Sequence, residues 1–344
     1  MALEIPNYST DRSKDIGKGN IDKLKNGEGT LQFTGAYIHL SPSCDYKCEG
    51  CFTHMDTDDK REVLLDLHAI KRIIDFVKDR CGQTIVFAGC GEPLLDDNYE
   101  EIEDYLKEQR LQRVLFTNLS TLNTKEQALK LLEAGPVIAK LYTLNEKKFD
   151  KLTRTPGALK KAMKGIELLL AAKKELEDQG RNVTLGIDSP IMQPNYMDLP
   201  DLLRFCRQND IIPYFEAFIE LGQPKEIVDK LALNNEELNR VFTVLQKIDN
   251  DEFGITTPVK TCTRNYGQDP CRKATHMFSI RENGDIHLCV SNLRSIGNVF
   301  DKEDPYNSLE AFFDAQNKWL IDYFKCDRCS KFVDEVSTSN PTSG

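Results

Sequence analysis

The chain has 344 residues, enough for one large α/β unit and a smaller one, and its 40% apolar content with 17 Phe and 11 Tyr supports a sizeable core. A formal net charge of −10 argues against the polyanionic backbone of a nucleic acid as a partner. No apolar run approaches the roughly 18 residues of a membrane span. The start, Met-Ala-Leu-Glu-Ile-Pro-Asn-Tyr, lacks the charged-then-apolar layout of a secretory signal. A cytoplasmic protein with reduced thiols and no membrane partner is therefore expected.

Residues 1–34 are polar and rich in Gly, Lys and Asp, and read as an irregular lead-in with one short helix. A βα rhythm then fills 35–250. Strand-like runs lie at 36–41, 84–89, 113–118, 137–143, 183–188 and 211–219. Helical patterns fall near 65–80, 98–110, 124–134, 157–179, 198–209 and 234–248. Six strands alternating with helices predict right-handed βαβ units and a parallel sheet. Two further units would be needed for a closed eight-stranded barrel. The expected fold is thus α/β, a partial (β/α)6 TIM-like barrel, with an open doubly wound sheet as the alternative. In both, the reactive site belongs to the loops that follow the strands.

Over 251–336 the pattern changes. Residues 276–281 and 286–292 alternate as strands around Glu282-Asn283-Gly284-Asp285, whose Asn-Gly pair signals a hairpin, and a helix is expected at 307–324. This stretch reads as a small C-terminal β-hairpin/helix domain. The polar segment 337–344 reads as a disordered tail.

Directly after the first strand comes Cys44-Asp-Tyr-Lys-Cys48-Glu-Gly-Cys51. Spacings of four and three place three thiolates on one short loop, able to bind three corners of a cubic iron–sulfur cluster and leave its fourth iron open. With His54 the same residues make a Cys3His zinc set, so the loop alone leaves both metals open. The second strand ends in Ala88-Gly89-Cys90-Gly91-Glu92-Pro93. Small residues there let backbone approach a ligand, and Glu92 adds a carboxylate at the same mouth. An ammonium group fits such a place, because carboxylates and backbone carbonyls only accept hydrogen bonds.

With these two motifs in successive βα units, the chain resembles the radical S-adenosylmethionine (SAM) superfamily over roughly residues 35–245. The resemblance implies that Cys44, Cys48 and Cys51 hold a [4Fe–4S] cluster whose fourth iron chelates SAM. It also implies that Glu92, with backbone at Gly89 and Gly91, takes the methionyl amine. Thr143 would contact SAM, Arg154 would pair with its carboxylate, and backbone at Phe52 would meet the adenine. His54 then becomes an ordinary loop residue. Two positions depart from the family pattern: Gly50, where an aromatic residue is common, and Cys90, where glycine is common. The implied chemistry is reductive cleavage of SAM to a 5′-deoxyadenosyl radical that abstracts hydrogen from a substrate. The electrons would come from an external reductant such as flavodoxin or ferredoxin.

The C-terminal cysteines Cys262, Cys271, Cys289, Cys326 and Cys329, set around the hairpin and a final C-x2-C, look like a Twitch-type domain of the SPASM group. The layout is similar to that of the 2-deoxy-scyllo-inosamine dehydrogenases. It implies an auxiliary [4Fe–4S] cluster on Cys271, Cys289, Cys326 and Cys329, with a structural zinc ribbon as the alternative. Four protein ligands close every iron, so such a cluster moves electrons, which suits oxidation of a small polar molecule such as an amino sugar or aminocyclitol. Cys262 is left over: a buried thiol, a substitute ligand, or the catalytic hydrogen donor of an epimerase. Asp188 at the end of strand five, with Glu216 and Glu220 on one face of strand six, are candidates for holding substrate amino groups. Cys81 and Cys206 read as structural. A peptide-modifying maturase and a zinc-binding interaction protein complete the alternatives.

Overall fold

The computed structural model describes residues 11–51, 64–220, 223–256, 266, 273–290 and 294–324. The strands are β1 (Gly35–Ile38), β2 (Thr84–Phe87), β3 (Gln112–Thr117), β4 (Val137–Lys140), β5 (Leu185–Ile191), β6 (Ile212–Ala217), β7 (Met277–Ile280), β8 (Asp285–His287) and β9 (Gly297–Asn298). The helices are α1 (Asp11–Asn26), α2 (Leu67–Asp79), α3 (Tyr99–Gln109), α4 (Lys125–Ala134), α5 (Glu146–Thr153), α6 (Ala158–Asp178), α7 (Leu199–Gln208), α8 (Lys225–Leu231), α9 (Asn235–Phe253), α10 (Pro305–Phe312) and α11 (Leu320–Phe324). Their starts have local causes. The Asp66 carboxylate accepts the Ala69 N–H, and Thr124 and Asn234 close capping boxes with Gln127 and Glu237.

All strands join one sheet in the order β6-β5-β4-β3-β2-β1-β7-β8-β9, with β1 to β7 parallel and β8 and β9 antiparallel. The sheet curls. β3 and β6 are three strands apart, which a flat sheet would space by about 14 Å, yet the rings of Phe116 and Tyr214 lie 5.7 Å apart. The Lys273 ammonium lies 5.9 Å from both the Tyr37 ring on β1 and the Tyr214 ring on β6, five strands away. The interior is therefore a packed chamber wall of Tyr37, Val86, Val114, Phe116, Ile138, Tyr214 and Met277. The opposite faces of the strands bury against the helices in a much larger core. This is the expected partial TIM-like barrel.

Three features differ from the sequence reading. The lead-in holds a 16-residue helix, α1, whose Ile21 and Leu24 are fully buried. Its buried Asn20 donates to the carbonyls of Gln32 (2.7 Å) and Thr275 (2.9 Å), so long-range bonds fix what local polarity hid. The hairpin is not set apart: β7 pairs with β1 in parallel, residue for residue, and extends the sheet. The single helix expected at 307–324 is two, α10 and α11. The Asn317 amide caps the end of α10 by donating to the carbonyls of Ala311 (2.8 Å) and Phe312 (3.0 Å). Among the described residues no helix is long and apolar enough to cross a membrane.

Candidate functional site

The cysteine loop leaves β1 and is pinned on several sides. Ser43 accepts the Glu92 N–H (2.8 Å), and the N–H groups of Lys47 and Glu49 donate to Thr153 (3.1 Å) and Leu152 (2.7 Å). The loop thus satisfies carbonyls that the end of α5 leaves open. Gln223 donates its side-chain amide to the Gly50 carbonyl (2.7 Å). The space a side chain on Gly50 would need is filled by Phe218 and Leu231, so an aromatic ring reaches this spot from the segment after β6.

The turn after β2 approaches this loop too closely for any side chain. Gly91 has φ +72°, and a Cβ there would stand 1.8 Å from the Ser41 carbonyl oxygen. Gly89 has φ +109°, and its Cβ would overlap the His39 ring at 2.3 Å. Only glycine fits both.

Cys44, Cys48 and Cys51 are half-buried. Burial pushes the Cys44 thiol up to about 11, with Glu92 and Cys51 adding to the effect. Burial and then the neighbouring Cys51 push Cys48 up to about 12. Two thiols that resist ionisation, with the Cys51 sulfur beside them, form a donor set that a metal cation relieves. Donors already face the sulfurs: the Tyr142 hydroxyl lies 3.7 Å from the Cys48 sulfur, and the Asn118 amide 3.8 Å from that of Cys44. Such contacts orient ligands and tune a cluster. The set fits a three-thiolate cluster with one open iron.

Glu92 is buried, at 2% exposure, and caps the short turn beginning at Pro93. Its carboxylate accepts from the Asn118 N–H (2.6 Å), the Thr117 hydroxyl (2.7 Å) and the Leu94 N–H (3.2 Å). Burial nevertheless raises its pKa to about 7. A carboxylate surrounded by donors, yet short of counter-charge, suits an incoming ammonium group.

On the chamber wall Lys140 pairs with the fully buried Asp188, its register partner on β5. Burial opposes the charge on Lys140, but Asp188 and Glu216 outweigh it and raise its pKa, with Cys51 contributing. Lys140 is therefore within electrostatic reach of both the carboxylates and the cysteine loop. Asp188 lies within β5, not at its end, and its carboxylate serves Lys140. Glu216 is half-buried on β6, but that strand stops at Ala217, and Glu220 lies beyond it, exposed. The expected shared face is lost because Phe218 turns in to pack with Leu152, Met192 and Leu231.

Two residues expected to contact SAM have other engagements. Thr143 lies past the end of β4, donates its hydroxyl to Asp198 (2.7 Å) and accepts the Asn145 N–H (3.1 Å). Arg154 is exposed and reaches Glu49 (3.3 Å), a carboxylate that also holds Lys230. Cys289 is half-buried just after β8. Phe52, His54, Cys262, Cys271, Cys326 and Cys329 lie outside the described residues.

Sequence reasoning missed His39, which is 1% exposed. Its Nδ1 accepts the Cys90 N–H (3.2 Å) and its Nε2 lies 3.1 Å from the Ser279 hydroxyl, so it buttresses the glycine turn from below. Burial, with the charges of Arg281 and His287, lowers its pKa to about 3 and keeps it neutral. The available signal was a polar residue two positions after Tyr37, on the same face of an apolar strand.

Residues 38–176 match the model of the Radical SAM superfamily. Among curated proteins, the chain is 22% identical over 300 residues to the tungsten-containing aldehyde ferredoxin oxidoreductase cofactor-modifying protein of Pyrococcus furiosus, covering 86% of this chain and 82% of that one. Among solved structures, Streptococcus suis SuiB bound to precursor peptide SuiA aligns with a TM-score of 0.64 at 18% identity, covering 91% of this chain and 69% of that one. Native anSMEcpe with bound AdoMet aligns with a TM-score of 0.60 at 15% identity, covering 86% and 88%. At these identities the structural likeness concerns the fold.

Proposed function

We propose that this chain, which carries a radical SAM domain over residues 38–176, is a radical SAM oxidoreductase acting on a small polar substrate. The observation that carries this reading is the closure of the three-thiol loop onto the Gly89–Glu92 turn at the mouth of a curled parallel sheet. Cys44, Cys48 and Cys51 would hold a [4Fe–4S] cluster. When reduced, that cluster supplies one electron to the SAM sulfonium, which splits into methionine and a 5′-deoxyadenosyl radical able to take a hydrogen atom from substrate.

The protein's part is placement. Glu92 offers the site for the methionyl ammonium. Gly89 and Gly91 let backbone carbonyls approach the same group, and the apolar wall of Phe116, Ile138 and Tyr214 keeps water from the radical. Cys271, Cys289, Cys326 and Cys329 would hold an auxiliary cluster, which would supply a one-electron acceptor for a dehydrogenation. Cys262 as hydrogen donor to a substrate radical gives the epimerase variant. Solvent deuterium in the product carbon, lost in Cys262→Ala, distinguishes it from a dehydrogenase, whose product is oxidised.

A peptide substrate is the second reading, favoured by the chain-long match to SuiB, which is described with a precursor peptide. The experiment that tests the leading reading is anaerobic reconstitution followed by reduction with SAM. A brown protein with about eight irons, four per cubane, that releases 5′-deoxyadenosine supports it. A colourless protein with stoichiometric zinc contradicts it.

A further inference from the structure

We propose that Arg281 forms an oxyanion subsite in the chamber that serves the substrate and not the SAM carboxylate, and that the substrate therefore carries a carboxylate or phosphate group. The inference rests on the functional reading above and names the substrate class of that site.

Arg281 follows β7 directly, and its backbone stays in hairpin register, its N–H donating to the Asp285 carbonyl (2.9 Å). On β7, Ser279 pairs with Tyr37 of the chamber wall and approaches the His39 ring. Strand alternation puts Arg281 on that same inner face, one pleat nearer the mouth. It is 7% exposed. The cross-strand neighbour that should neutralise it is Asp285, since Ile280 pairs with Ile286. That carboxylate is engaged elsewhere: one oxygen accepts the Asn283 amide and the other the Asn298 amide, both at 2.9 Å. Glu282, the next residue, has an oxygen 3.9 Å from His39 Nδ1. Among the described residues no carboxylate pairs with the Arg281 guanidinium.

A guanidinium taken from water without a partner costs several kcal/mol. Its planar fork matches a carboxylate or phosphate with two parallel hydrogen bonds. Among the described residues the other cations of the chamber wall are engaged, Lys140 with Asp188 and Lys273 with the Tyr214 hydroxyl (3.3 Å). Arg281 also lies close enough to His39 and Cys90 to act on both electrostatically, which sets it beside the glycine turn and facing the chamber.

The test uses the full chain, reconstituted anaerobically. Wild type is first assayed for SAM cleavage. If it makes no 5′-deoxyadenosine, the functional reading fails, while the binding measurements still decide the role of Arg281. Inorganic pyrophosphate, as the oxyanion probe, and SAM are then titrated calorimetrically into wild type, R281K and R281Q, with the exposed-surface variant R240Q as control. Pyrophosphate binding is expected to weaken at least tenfold in R281Q, about 1.4 kcal/mol, and less in R281K. SAM affinity should stay within about twofold, and Tm should not fall. Unchanged pyrophosphate binding in R281Q overturns the proposal. So does a tenfold loss of SAM affinity, which would assign the guanidinium to the SAM carboxylate. If R281Q does not fold, R281K carries the same comparison.

Discussion

At Glu92, burial and hydrogen bonding act in opposite directions. Burial raises the pKa to about 7, although two N–H groups and a hydroxyl favour the anion. Because this value lies above that of the unfolded chain, the folded chain holds the proton more tightly. The resulting stabilisation is complete below the unfolded carboxyl pKa of about 4.3 and is lost as pH rises through about 7. Thermal melts of the chain without SAM should therefore show Tm falling across that window, and SAM, if its ammonium meets the carboxylate as proposed, should reduce the slope. In E92Q the slope should flatten, and stability at low pH should drop by about 1–3 kcal/mol, because an amide cannot accept from all three donors. An unchanged slope in E92Q would assign the titration to another group. Lys140 makes a second residue-scale case: K140M takes the cation away from the buried Asp188 carboxylate and should cost about 3 kcal/mol in denaturant unfolding, with K140M/D188L recovering most of it. The meeting of the cysteine loop with the Glu92 turn was legible in the sequence, because both are short motifs that follow successive strands. Lys140, His39 and Arg281 were not, because each depends on the register of strands far apart in the chain.

At the scale of elements, the site is made by two strand ends that nearly touch. Gly91→Ala would force a methyl group against the Ser41 carbonyl in a left-handed backbone that already disfavours it by about 1–2 kcal/mol. The expected outcome is loss of iron incorporation together with a Tm lowered by several degrees. Normal iron content in this variant would show that the turn and the cysteine loop are not coupled. The six barrel strands and their main helices were legible because apolar runs and 3.6-residue periodicity are strong local signals. Helices α1, α5 and α8 were not read at their true extent. α5 is 8 residues long and α8 only 7, and α1 is tied down by bonds from Asn20 to distant carbonyls. The end of β6 was misplaced by alternation alone, since Phe218 leaves the strand to fill the gap beside Gly50.

At the scale of the molecule, β7 turns β1 from the edge of a six-stranded sheet into an interior strand bonded on both sides. The strand that launches the cysteine loop is thereby held rigid, and the hairpin is brought to the chamber mouth. Amide hydrogen exchange should place β1 among the slowest-exchanging segments, close to β2 and β3. Exchange of β1 as fast as that of β6, at the far edge, would contradict this arrangement. The parallel docking of β7 was not legible, because nothing local in 277–280 says which strand it joins. Whether the loop of Cys44, Cys48 and Cys51 carries a SAM-cleaving cluster is decided by 5′-deoxyadenosine formation in the anaerobically reconstituted, reduced chain. Turnover is expected in wild type and none in a Cys44→Ala/Cys48→Ala/Cys51→Ala variant that still folds. Equal amounts from both proteins, or none from an iron-loaded wild type, would contradict it.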